Sequence, residues 1–116
     1  MLTHTVLFWA KDDLTSAQRD EFQAGLATLP GVPSVAAGWV GTASATHREV
    51  IDSSYTFALL LRFEDLAAHD AYQTHPIHDA FHARCEKYWK RVVVYDFDDL
   101  PVRVAPDGTA DGMIDR

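Results

Sequence analysis

Tyr72-Gln73-Thr74-His75-Pro76-Ile77-His78 decides how this 116-residue chain folds. Proline lacks an N–H and its ring clashes with the preceding turn, so Pro76 ends one helix and starts another. His75, just before it, is biased towards an extended or turn backbone. On the N-terminal side Asp65 caps a helix expected to run to about Thr74. On the other side the restarted helix is expected to reach about Lys90. Strands flank this helical stretch. In residues 55–63, Tyr55, Phe57, Leu59, Leu61 and Phe63 line one face, and Thr56, Ala58, Leu60 and Arg62 the other. Residues 91–97 alternate likewise, Val92 and Val94 against Val93, Tyr95 and Phe97.

The first half repeats the pattern. Residues 4–9 form two largely apolar rows, His4/Val6/Phe8 and Thr5/Leu7/Trp9, as in a strand buried on both faces. Thr15 with Gln18 three residues on is a capping box, and Phe22, Leu26 and Leu29 follow at helical spacing. Pro30-Gly31-Val32-Pro33 stops that helix. Residues 35–42 read as a weaker strand, in which Gly38 and Gly41 suggest bulges or a close backbone approach, and residues 43–53 as a loop.

Strand, helix, strand, strand, helix, strand is the split βαββαβ order. The fold class is therefore α+β, ferredoxin-like, with a four-stranded antiparallel sheet and two helices on one face. Two helices cover one side only, yet the strands are apolar on both. A bare face would expose more apolar area than soluble monomers usually carry. A second copy packed sheet to sheet solves this, so a homodimer is expected, paired into a barrel. The domain is placed at residues 1–97. Residues 98–116, acidic with two prolines and two glycines, read as a tail or an extended arm that the partner chain could hold.

Composition narrows the function. Ten Lys and Arg against seventeen Asp and Glu leave a net charge of -7, which argues against binding a nucleic-acid backbone. No run is long enough to span a membrane, and the start lacks the pattern of a signal peptide. The single cysteine, Cys85, cannot pair within the chain and reads as a buried thiol in a reducing compartment. A cytoplasmic protein is expected.

His4-Thr-Val-Leu-Phe, Tyr72-x-x-His75-Pro76-x-His78-x-x-Phe81 and Trp89-Lys-x-Val-x-Val-x-Asp96-Phe97 resemble the stress-responsive dimeric α/β-barrel (Dabb) domain family, over about residues 2–97. The resemblance implies a dimeric barrel, most members of which have no established activity. A plant member, olivetolic acid cyclase, closes a linear polyketide by aldol chemistry between helices and sheet. Its proposed catalytic pair falls on Tyr72 and His78, its strand histidine on His4, and its pocket positions on Phe81 and Trp89. Where it has aromatic residues on the first helix, this chain has Gln23 and Leu26, which suggests a smaller ligand.

Two functions follow. The first is a stress-associated domain that binds a small apolar or polyketide-like molecule. The second is a cofactor-free cyclase, lyase or isomerase with His78 as general base and Tyr72 as proton donor. The pocket is expected to draw on His4, Phe22, Leu26, Tyr55, Phe57, His75, Phe81 and Trp89. His78 could equally brace the helix junction, and His75 reads as structural. His78 and His82 stand at a metal-ligand spacing with His75 and Asp79 near, but no third ligand is obvious and no metal is assigned. His82 is expected to face solvent near Glu86. A haem ligand at His78 or His82 is disfavoured by the scarcity of basic residues. Asp96, Asp98 and Asp99 read as a solvated edge.

Overall fold

The computed structural model describes residues 1–104 and 110–113. Its elements are β1 (Leu2–Ala10), α1 (Ser16–Leu26), β2 (Ala37–Gly41), β3 (Phe57–Phe63), α2 (Leu66–Gln73), α3 (Pro76–Cys85), β4 (Trp89–Asp98), β5 (Val102–Val104) and β6 (Ala110–Met113). The first four strands form one antiparallel sheet in the order β2-β3-β1-β4. This is the expected ferredoxin-like sheet, with the helix after β3 split in two by Pro76.

Local chemistry sets the helix boundaries. Thr15 accepts from the Gln18 N–H at 3.1 Å, and the Gln18 side chain accepts from the Thr15 N–H at 2.9 Å, so both halves of the capping box are present. Asp65 caps α2 by accepting from the Ala68 N–H. The helix expected to continue to Lys90 stops at Cys85. A short 3-10 turn, Glu86–Tyr88, follows, and Trp89 already belongs to β4 opposite Ala10. The strand pairing of Trp89 outweighs its helical spacing from Phe81 and Cys85.

Register places the side chains. Opposite His4 lie Leu61 and Asp96, opposite Val6 lie Leu59 and Val94, and opposite Phe8 lie Phe57 and Val92. This face meets the helices. Phe22, Leu26, Phe57, Leu59, Leu61 and Phe63 are at most 1% exposed there and form the core. Gly25 lets α1 touch α3, because a Cβ at that position would lie 2.7 Å from Cys85 Sγ and 3.2 Å from the Phe81 ring. Gly38 lets β2 meet the Pro30 turn, since its Cβ would lie 2.9 Å from Pro30 Cβ as well as 2.6 Å from a Leu61 methyl. Gly41 has no such neighbour, and the one register shift between β1 and β4 falls at Trp9/Ala10.

The opposite face carries Trp39, Tyr95 and Phe97 at 59%, 61% and 56% exposed, beside the half-buried Leu7, Ala58, Leu60 and Val93. After β4 the chain forms a separate ladder, β5 with β6, pairing Val102 with Met113. The rest of the expected tail, 105–109 and 114–116, lies outside the described residues.

Candidate functional site

A cavity of about 200 Å3 lies between the sheet and the α2–α3 junction. Its floor is His4, Val6 and Phe8 of β1, Leu59 of β3, and Val92 and Val94 of β4. Its walls are Leu29, Tyr72, Gln73, His78, Phe81, His82 and Trp89. A second hollow of about 400 Å3 opens near the start of α1, between Lys11, Asp13, Leu14, Thr15, Gln18, Lys87 and Tyr88, but no imidazole lines it. Chemistry that needs a base near neutral pH therefore points to the first.

The bend at Pro76 brings Tyr72 and His78 together. Tyr72 lies in the last turn of α2 and His78 in the first turn of α3, and their rings meet edge to face at 4.9 Å between centroids. Burial raises the Tyr72 phenol well above its ordinary value, so it stays a neutral hydrogen-bond donor. Burial also lowers His78 below 6.5, and the like charge of nearby His82 lowers it further, against a smaller opposing pull from Asp79. Both effects favour the neutral form of His78. Its Nδ1 is buried and finds no hydrogen-bond partner among the described protein groups. A buried polar nitrogen left this way costs roughly 1–3 kcal/mol, which a bound polar group can offset.

At the other end of the cavity His4, 4% exposed, points its Nδ1 at Asp96 Oδ1 across 2.5 Å. Burial is the largest influence on His4 and lowers its pKa, while the hydrogen bond and charge of Asp96 pull upward. His69 of α2 lies beside it, ring centroids 5.1 Å apart, and donates or accepts at Asp70 and Gln73. One potential ligand atom from each of His4, His69 and Asp96 lies within 4.8 Å of the others.

Of the residues expected in the pocket, His4, Phe81 and Trp89 line it with Tyr72 and His78; five others do not. Phe22, Leu26 and Phe57 are consumed by the α1 half of the core, Phe22 packing on Phe8, Phe57 and Trp89. Tyr55 precedes β3, so the strand alternation does not reach it, and it packs on Trp9 instead. His75 caps α3, its Nδ1 accepting from the Ile77 N–H at 3.1 Å. His82 needs a correction: it reaches Glu86 at 4.0 Å as expected, yet its ring also stands 4.6 Å from His78 and 5.4 Å from Trp89 at the cavity wall. The acidic edge is likewise not merely solvated. Asp96 holds His4, and Asp99 makes a two-pronged bond to Arg62 at 2.8 and 3.1 Å. Cys85 is buried as expected, and burial raises its thiol pKa. His69 and Gln73 were not foreseen; their four-residue spacing was the available signal.

Residues 2–99 match the family model described as the Stress responsive A/B Barrel Domain. Among solved structures, an Arabidopsis thaliana protein is 24% identical, with a TM-score of 0.73 over 90% of this chain and 100% of its own. A dimeric ferredoxin-like protein of unknown function from Thermobifida fusca is 26% identical, with a TM-score of 0.67 over 83% of this chain and 88% of its own. A hydroxynitrile lyase from Passiflora edulis is 21% identical, with a TM-score of 0.67 over 83% of this chain and 90% of its own. No curated protein matches the sequence significantly.

Proposed function

The chain belongs to the Stress responsive A/B Barrel Domain family, and within it we propose a cofactor-free lyase, cyclase or isomerase that acts on a small, mostly apolar carbonyl compound. The observation that carries this reading is one cavity lined by both Tyr72 and His78, their ring centroids 4.9 Å apart, with burial holding the imidazole below its ordinary pKa. His78 takes a proton from the carbon next to the carbonyl. The C–H electron pair moves into the carbon–carbon bond, the carbonyl oxygen becomes an enolate, and the Tyr72 O–H donates a hydrogen bond to it. Delivery of the proton from His78 to a different carbon of the conjugated enolate completes isomerisation, and attack of the enolate carbon on a second carbonyl, whose oxygen then takes the proton from His78, completes cyclisation; the reverse of that attack cleaves the bond. No electron is gained or lost overall.

The volume of about 200 Å3 is below the roughly 300–1,000 Å3 of drug-sized ligand pockets. This favours a substrate smaller than the linear polyketide of the plant cyclase. The lyase from Passiflora edulis shares the fold alone with this chain and carries none of the weight. A cytoplasmic homodimer with a ligand-binding domain placed at residues 1–97 is proposed as well; the arm expected from 98 can begin only after Asp99, because β4 runs to Asp98 and Asp99 bonds Arg62. Among the described residues no helix is long and apolar enough to cross a membrane. The exposed Trp39, Tyr95 and Phe97 support the sheet-to-sheet dimer, and light scattering after size exclusion tests it: a stable monomer at micromolar concentration rules it out.

The chemistry is tested by solvent-deuterium exchange into cyclohexanone, followed by NMR in the presence of a chelator. Wild type should accelerate exchange at the carbons beside the carbonyl. His78→Ala should abolish the acceleration and Tyr72→Phe should reduce it. Equal rates with and without protein, or full activity in both variants, would sink the reading.

A further inference from the structure

We infer that His4, His69 and Asp96 form a binding site for one divalent transition-metal ion, of the Zn2+ class, at the sheet end of the cavity. The inference does not rest on the base role of His78, which is not one of the three ligands.

Two imidazoles and one carboxylate are a donor set that such ions accept readily. Here they come from three separate elements, β1, α2 and β4, and converge because the β1–β4 register sets His4 opposite Asp96. One ligand atom from each lies within 4.8 Å of the others. A shared ion with bonds of about 2.0–2.2 Å needs these separations near 3–4 Å, so the trio is close to the right span. The His4 side chain is 5% exposed and that of His69 14%, so both present their nitrogens from fixed, dehydrated positions. Asp96 is 43% exposed on an edge strand, so few neighbours fix its side chain. That freedom matters, because its oxygen now sits 2.5 Å from His4 Nδ1 with a proton between them. An ion taking the proton's place requires the gap to widen by roughly half an ångström or more.

His69 carries a second sign of a ligand. Its Nδ1 faces the Asp70 carboxylate at 3.1 Å, the outer partner that metal-bound histidines commonly have. With that N–H given to Asp70, Nε2 keeps its lone pair, and its present neighbour is the Gln73 amide at 3.4 Å, a weak contact that an ion can displace. His4 and Gln73 both line the cavity, so an ion held here borders the space beside Tyr72.

The test uses the full chain and Co2+, whose visible absorption reports coordination by imidazole, with Zn2+ as competitor. One Co2+ should bind per chain, with absorption bands that Zn2+ removes. His69→Ala should weaken binding at least tenfold and abolish the bands. His4 is buried and its replacement endangers the fold, so Asp96→Asn, nearly the same shape, serves as the second variant and should also weaken binding roughly tenfold. His47→Ala, in the exposed 43–53 loop, should change nothing. Absence of saturable Co2+ binding, or equal affinity and bands in His69→Ala, overturns the inference.

Discussion

The helices cover one sheet face in two unlike halves. Under α1 the face is solid: Phe22, Leu26 and Phe57 are at most 1% exposed, and Gly25 exists to let α1 and α3 touch. Under the α2–α3 junction the same face is hollow, and it gathers His4, His78, His82 and Tyr72 around about 200 Å3. Protein interiors normally close to crystal-like density and exclude unpaired polar atoms. The α1 half is closely packed, whereas the other half is hollow and leaves His78 Nδ1 buried and unpartnered against that space. Stability is thus concentrated in one half and reactive groups in the other. Substitutions in each should report on different properties.

The largest effect is expected in the hollow half and on activity alone. His78→Ala should slow carbon-acid exchange by about 10²–10⁴-fold, the usual contribution of a general base, and leave the thermal midpoint nearly unchanged. A large loss of stability with no loss of exchange would reverse the assignment of the two halves.

Next, Phe22→Ala should cost about 3–5 kcal/mol in denaturant unfolding, because Phe22 is fully buried among Phe8, Phe57, Phe81 and Trp89. Gly25→Ala should follow at about 1–3 kcal/mol, as its Cβ has no room against Cys85 and Phe81. If either costs less than about 0.5 kcal/mol, the α1 half is not the stabilising half.

Much of this division was legible in the chain itself, for physical reasons that differ by element. The capping box at Thr15 and Gln18 and the break at Pro76 are local chemistry, and both stand in the structure as the residues imply. Trp89 was not legible, because its helical spacing from Phe81 and Cys85 was genuine and only pairing with Ala10 drew it into β4. The site divided in the same way. Tyr72 and His78 are six residues apart around one bend, but the His4–Asp96 bond joins residues 92 apart and depends on register. The strand alternation that placed Tyr55 with Phe57 failed because the strand begins at Phe57.

A smaller effect concerns pH. Burial holds the folded-state pKa of His78 and His4 below 6.5, so the unfolded chain binds protons more readily as pH falls through that value. Their contribution to stability is present above about pH 6.5 and lost below it. Thermal melts should therefore move downward as the buffer is taken from pH 7 to pH 5. The decline should shrink in His78→Gln, and an unchanged decline would place its origin elsewhere. The smallest change is expected from His82→Ala, which removes a like charge and should let His78 drift back towards its ordinary pKa.

The central claim is that the hollow half holds a neutral His78 facing a ligand space, and NMR titration of the His78 imidazole tests it most directly. The midpoint should lie below 6.5, and added cyclohexanone should shift the His78 signals while leaving those of His47 in place. A midpoint at or above 6.5, with no response to the ketone, would contradict it.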